Sequence, residues 1–164
     1  MSQVSVRAVS FVDVIGDLRH LLLRNHEETS PFPGIPLDID AHRYMRIEAM
    51  GALRCYVATV SGRMIGYAAF IVDEHLHHKG AVFATQDVIY VEPESRKTLA
   101  GMLLVRFIED DLRDRGVQVI IHFQKKNHPA LGKMLARMGY KDDEVAWMKR
   151  LDVSDRKINI ASGG

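Results

Sequence analysis

VFATQDVIYVEPESRKTLAGMLLVRFIEDDLRDRGVQVIIHF, residues 82–123, decides the fold. The run from Ala81 to Val91 is rich in β-branched and aromatic residues and is closed by Glu92-Pro93. From Thr98 to Arg115, the residues Met102, Leu103, Val105, Phe107, Ile108 and Leu112 share one wide apolar face. Glu109, Asp110, Arg113 and Asp114 lie opposite, and Gly116 is placed to stop the helix. Val117 to Phe123 is a short β-branched run suited to a strand covered on both sides. A strand, a long helix and a second strand in that order make a parallel crossover unit.

Upstream, the pattern is of another kind. Val4 to Val9 alternates apolar and polar residues, as a half-buried strand does. Phe11 to Glu28 carries Val14, Ile15, Leu18, Leu21 and Leu22 at helical spacing. Pro31, Pro33, Gly34 and Pro36 interrupt regular structure before a short helix from Asp40 to Met50. Cys55–Val60 and Met64–Val72 flank the turn signal Ser61-Gly62-Arg63 and read as a hairpin, so the crossover follows an antiparallel meander. Downstream, Pro129 to Met138 reads as a compact helix stopped by Gly139, and Glu144 to Leu151 as a last strand. The predicted order is β-α-α-β-β-β-α-β-α-β, an α+β (mixed α/β) domain over residues 1–151. Residues 152–164 lose periodicity and read as a tail, mobile or packed on a partner chain.

Composition narrows the functional classes. The chain has 164 residues, enough for one domain with a sizeable core. Its 22 Lys+Arg against 21 Asp+Glu give +1, so no global positive field draws in nucleic acid or an anionic membrane. The single cysteine, Cys55, excludes an intramolecular disulfide, and its β-rich surroundings read as a buried structural thiol. No apolar run approaches the roughly 18 residues that cross a bilayer, and Met1 to Val14 lacks a signal-peptide layout; the expectation is a cytoplasmic protein without a membrane partner.

The loop between strand and long helix carries the chemistry. First-turn N–H groups, the positive end of the helix dipole, and adjacent Arg96 and Lys97 favour a phosphate or pyrophosphate there, and small Ala100 and Gly101 would let it come close. The same geometry also exists at any strand–loop–helix, where a basic pair can simply be solvated.

Arg96-Lys97-Thr98-Leu99-Ala100-Gly101 resembles the pyrophosphate loop of the GNAT superfamily of N-acetyltransferases, with Leu99 where the first glycine is usual. Asn127-His128-Pro129-Ala130, followed by Leu131–Met138 and Gly139-Tyr140, is similar to the same family's Asn-x-x-Ala helix. The resemblance covers residues 4 to 151 and, through Gln86-Asp87-Val88, the Ala100-Gly101 turn and Met148-Lys149-Arg150-Leu151, is greatest to phage and prophage GNAT-like proteins. It implies a three-layer sandwich with a mostly antiparallel sheet, acetyl-CoA as co-substrate, no metal, and direct acetyl transfer to a primary amine of a small molecule or a protein. Cofactor contacts are implied at Ile89, Tyr90, Val91, Arg96, Lys97, Thr98, Leu99, Ala100, Gly101, Met102 and Asn127. Asp87, on the fourth strand, is the implied general base for the acceptor ammonium, directly or through water; a bulge or cap residue is the equal alternative. The tyrosine that usually protonates the departing thiolate is absent near Met134 and Leu135, leaving Tyr90, Tyr140 or solvent. That absence and Leu99 leave a second reading open, a GNAT-fold binding or structural protein without catalysis. A homodimer is compatible with either.

Other groups have plainer readings. His75, His77 and His78 invite a metal, but only Asp73, Glu74 and distant His122 could complete a set, so a solvated turn is expected. Trp147 reads as core or dimer contact. Lys125 and Lys126 could meet cofactor phosphate or be solvated equally well. His26, Glu27, Glu28, Asp38 and Asp40 flank the proline-rich connection that, by the resemblance, borders the acceptor side of the cleft.

Overall fold

The computed structural model describes residues 3–32 and 34–152. In chain order the elements are β1 (Val4–Val9), α1 (Phe11–Val14), α2 (Arg19–Thr29), α3 (Ala41–Ala49), β2 (Leu53–Val60), β3 (Arg63–Glu74), β4 (Val82–Val91), a 3-10 turn (Pro93–Ser95), α4 (Ala100–Asp114), β5 (Val119–Ile121) and α5 (Ala130–Arg137). The sheet order is β1-β2-β3-β4-β5, antiparallel through β4 and parallel between β4 and β5. The mixed α+β class and the crossover are as the sequence predicts.

Two layers of helix cover the sheet. On one face α4 lays Ala100, Leu104, Ile108 and Leu112 against Tyr56, Ala58, Ala68, Phe70 and Ala84. On the other, Val14, Leu18 and Leu21 pack on Val57, Tyr67 and Tyr90, and Phe11 packs with Leu53, Cys55 and Ala69 beside α3. Each of these large apolar side chains contributes roughly 1.5–3 kcal/mol by leaving water. Arg54 of β2 ties the sheet to α4 by a fork on Asp111, at 2.9 and 3.1 Å, and Tyr56 Oη donates to the same carboxylate at 2.8 Å.

Two expectations are corrected. The helix predicted from Phe11 to Glu28 is broken between Val14 and Arg19, where residues 15–18 form turns around Gly16, a residue that costs about 1 kcal/mol in a helix interior. The break is tolerated because α1 has its own anchor: Glu48 of α3 accepts from Phe11 N at 2.8 Å and Ser10 Oγ at 2.9 Å. The strand predicted from Glu144 to Leu151 is not formed. Residues 141–150 have no regular structure, Trp147 is 92% exposed rather than in the core, and β5 remains the sheet's edge among the described residues. Residues 153–164 of the expected tail lie outside the described residues.

Candidate active site

The site begins where β4 and β5 part. Their parallel ladder runs through Phe83↔Val119, Ala84↔Ile120 and Thr85↔Ile121 and stops there, so from Gln86 to Val91 the outer edge of β4 has no strand partner among the described residues. The Gln86 side chain fills the fork of the splay. Its Nε2 donates to the Phe123 carbonyl at 3.1 Å, which turns its Oε1 toward His122 Nδ1 at 2.8 Å. His122 therefore carries its proton on Nδ1, and burial pushes its pKa down to about 4.

The next residue leaves the pleat. Ala69 pairs with Val88 and Phe70 with Gln86, so Asp87 is the extra residue of a bulge. The bulge changes which face each side chain meets. Ala84 lies against the α4 layer, and without the irregularity Val88 and Tyr90 would lie there too; instead they pack toward α1–α3. Asp87 is exposed on that side and accepts a short hydrogen bond from Tyr44 Oη of α3. Burial, reinforced by the Asp87 carboxylate, pushes the Tyr44 hydroxyl well above its usual range, which keeps it a donor. Tyr44 is held in turn by a parallel stack on Phe11, 4.6 Å between centroids.

β4 then runs into the loop before α4. Glu92 N donates to Ile65 O at 2.9 Å, and the buried Glu92 carboxylate takes a fork from Arg63 at 2.6 and 2.7 Å and Ser95 Oγ at 3.0 Å. Arg63, first among these, holds that carboxyl below its usual range. The helix itself starts at Leu103 N to Leu99 O, 2.9 Å, which leaves the amides of Ala100, Gly101 and Met102 before the first intrahelical bond. Thr98 Oγ1 accepts from Ala100 N at 3.1 Å while donating to Ser95 O at 2.7 Å.

Several sequence-predicted residues take different parts in this loop. Leu99 has φ −77° and is 61% exposed, so the missing glycine imposes no strain and its side chain points away from the protein. Ala100 faces the core, and Gly101 faces Met134 of α5, where a Cβ would lie 3.5 Å from the sulfur, an ordinary contact. Lys97 is exposed, as is Asn127 on the turn before α5. Arg96 is engaged within the protein: its Nε donates to Val91 O at 2.7 Å, its two other nitrogens grip Glu28 at 2.5 and 2.7 Å, and its guanidinium lies 5.3 Å from the Tyr90 ring centre. That fork draws the Glu28 carboxyl below its ordinary range.

Asp87, the open edge Ile89–Val91 and the loop 96–102 are thus consecutive along one rim. Tyr140 lies behind the fork at Gln86, next to His122. Its hydroxyl is pushed up by burial and by Glu109, and its ring meets His122 at 5.2 Å between centroids. Glu109 lies eight residues along α4 from Gly101, roughly 12 Å at 1.5 Å per residue.

A sequence model described as the acetyltransferase (GNAT) family matches residues 17–140. The chain belongs to that family. It is accordingly an acyltransferase, of a family that uses acetyl-CoA. No curated protein sequence matches it. Solved structures share the fold at low identity. An aminoglycoside acetyltransferase from an uncultured soil metagenomic sample, in complex with trehalose, superposes with TM-score 0.71 at 12% identity, over 90% of this chain and 96% of the other. AAC(6')-Iy, in complex with the bisubstrate analogue CoA-S-monomethyl-acetylneamine, gives 0.67 at 18% identity over 91% and 98%. Glucosamine-6-phosphate N-acetyltransferase from Arabidopsis thaliana gives 0.68 at 15% over 92% and 99%.

In this GNAT chain the remaining candidates are structural. Cys55 is buried and its thiol is pushed up to about 12, chiefly by burial, so it is no nucleophile. His75 stacks on His78 at 4.9 Å and meets the Phe83 ring at a tilt, 4.4 Å between centroids. Among the described residues no group of three or more His, Cys, Asp or Glu could hold a metal, and no helix is long and apolar enough to cross a membrane. Asp40 caps α3 by accepting from Arg43 N at 2.9 Å. Sequence reading missed Tyr44, whose spacing marks it only as an apolar helix position, and the Arg63–Glu92 pair, which no local pattern joins.

Proposed function

We propose that this chain transfers the acetyl group of acetyl-CoA to a primary amine of a small molecule or a protein, by direct attack while both are bound. The observation that carries the reading is the free outer edge of β4 leading into the first turn of α4, a row of unpaired backbone donors that ends in helix-dipole positive potential. The residues present fit the co-substrate: Ile89, Tyr90 and Val91 offer the strand edge, the amides of Gly101 and Met102 and the Lys97 ammonium stand at the helix start, and Arg96 and Asn127 flank them. Acetyl-CoA supplies a thioester carbonyl open to an amine.

Asp87 holds the proton taken from the acceptor. An alkyl ammonium, with a pKa near 10, must be deprotonated before attack. Asp87 Oδ2 is engaged by Tyr44 and its Oδ1 has no hydrogen-bond partner among the described residues, so one oxygen is anchored while the other serves as base. No acid side chain is assigned to the departing thiolate: a thiol of ordinary pKa, about 8.5, needs none. Amino sugars form the first acceptor panel, because similar solved structures are named as an aminoglycoside acetyltransferase and a glucosamine-6-phosphate N-acetyltransferase.

Calorimetric titration with acetyl-CoA tests the reading, followed by thiol-release assays over that panel. Saturable micromolar binding, weakened at least tenfold in Lys97→Glu, is expected. No saturable binding by the wild-type protein overturns it.

A further inference from the structure

We propose that Glu28 is an internal anion that occupies Arg96 and His128 until a phosphate-bearing ligand takes its place, so that binding at the β4–α4 loop releases the last turn of α2. The inference rests on the acetyl-CoA reading for the identity of that ligand. Glu28 joins three separate segments. Arg96, from the β4–α4 loop, forks its two oxygens at 2.5 and 2.7 Å; His128, from the turn before α5, sets Nδ1 3.4 Å from Oε1 and Nε2 3.3 Å from the Glu28 carbonyl; Tyr90 Oη of β4 reaches Oε2 at 3.3 Å. A planar guanidinium fork fits a carboxylate and a phosphate oxygen pair alike, and its electrostatic gain is largest for the more highly charged of the two. The carboxylate thus stands where a phosphate would.

Its place in α2 argues for displacement. Glu28 is the penultimate residue of a helix spanning Arg19–Thr29, at the negative end of the dipole, where a carboxylate is disfavoured. Arg96 offsets that disadvantage. When a phosphate takes Arg96, Glu28 keeps an unfavourable position with only the longer Tyr90 bond to offset it, and the segment 26–30 that leads into the proline-rich connection loses the strongest of its ties. The neighbouring Glu27 is exposed and makes no such contacts among the described residues, which supplies an internal control.

The experiment compares wild-type protein, Glu28→Gln and Glu27→Gln in calorimetric titrations with acetyl-CoA, with amide hydrogen exchange followed at residues 26–30. Glu28→Gln is expected to bind at least fivefold more tightly than wild type, and Glu27→Gln equally. In the wild-type protein, saturating acetyl-CoA is expected to speed exchange at residues 26–30 at least threefold. Wild-type binding with no gain in Glu28→Gln, or unchanged or slowed exchange in that segment, overturns the displacement and leaves the acetyl-CoA reading standing. Absence of binding in every protein overturns the acetyl-CoA reading and the displacement together.

Discussion

Asp87 and Tyr44 form the pair on which the proposed chemistry depends. Replacing Asp87 by Asn removes a base without changing shape, and a positioned general base is worth about 10²–10⁴ in rate. Asp87→Asn is expected to lower kcat about 100-fold or more while leaving the acetyl-CoA dissociation constant within twofold; an unchanged kcat sinks the assignment. Tyr44→Phe removes the anchoring donor only, so a smaller loss, about tenfold, is expected in the same assay. His122 makes a prediction of a different kind. A free imidazole titrates near 6.5 and burial pushes this one down to about 4. Between those values the unfolded chain takes up a proton that the folded chain refuses. Its contribution is therefore complete above pH 6.5 and is lost as pH falls toward 4, by on the order of 3 kcal/mol. Urea titrations of wild type and His122→Gln at pH 7.5 and 4.5 check this: the variant should lose less stability across the interval, and parallel losses would remove His122 as the cause. Of these residues, Asp87 was singled out through the family resemblance, and the bulge position weighed beside that role is the one it occupies. Tyr44 was not, because a tyrosine at helical spacing looks like any core residue until its hydroxyl is seen to meet a carboxylate 43 positions away.

At the scale of elements, the bulge in β4 and the close approach of β3 to it shape the rim. Gly66 of β3 lies opposite Val91, and a Cβ there would sit 2.8 Å from Tyr90 O and 3.0 Å from Val91 Cγ2. A backbone oxygen cannot swing aside as a side chain can. Gly66→Ala is expected to cost about 2–3 kcal/mol in chemical denaturation and to weaken acetyl-CoA binding, since it pushes on the strand end that leads into the loop; wild-type stability in the variant counts against the contact. The β-rich composition of residues 81–91 made a strand legible, but not its bulge, because one inserted residue reverses which face each later side chain meets and both faces here accept apolar groups. The predicted strand from Glu144 to Leu151 failed for a related reason. Its residues have strand propensity, yet propensity forms a strand only where a neighbour supplies a ladder and a covering layer, and Val145, Trp147 and Leu151 are left exposed.

Across the whole molecule, one sheet serves two cores. Leu21 of α2 and Leu104 of α4 are both fully buried, on opposite faces of the same strands. Leu21→Ala and Leu104→Ala are each expected to lose about 2–5 kcal/mol with an unchanged m-value, in a single transition. Two resolved transitions in either variant would mean that the layers unfold separately. The sequence alone determined the order of elements from β1 to α5, apart from the break in the first helix, and with it the mixed sheet and the crossover that sets a helix N-terminus after β4, because hydrophobic period, proline stops and glycine ends are local properties written residue by residue. Tertiary structure alone decided that Arg96 faces Glu28, that Ala100 and Gly101 turn inward, and that Asp87 leaves the pleat to meet Tyr44. Those outcomes depend on which distant side chains arrive at the same place. Charge pairing and packing over tens of residues leave no periodic trace in the chain.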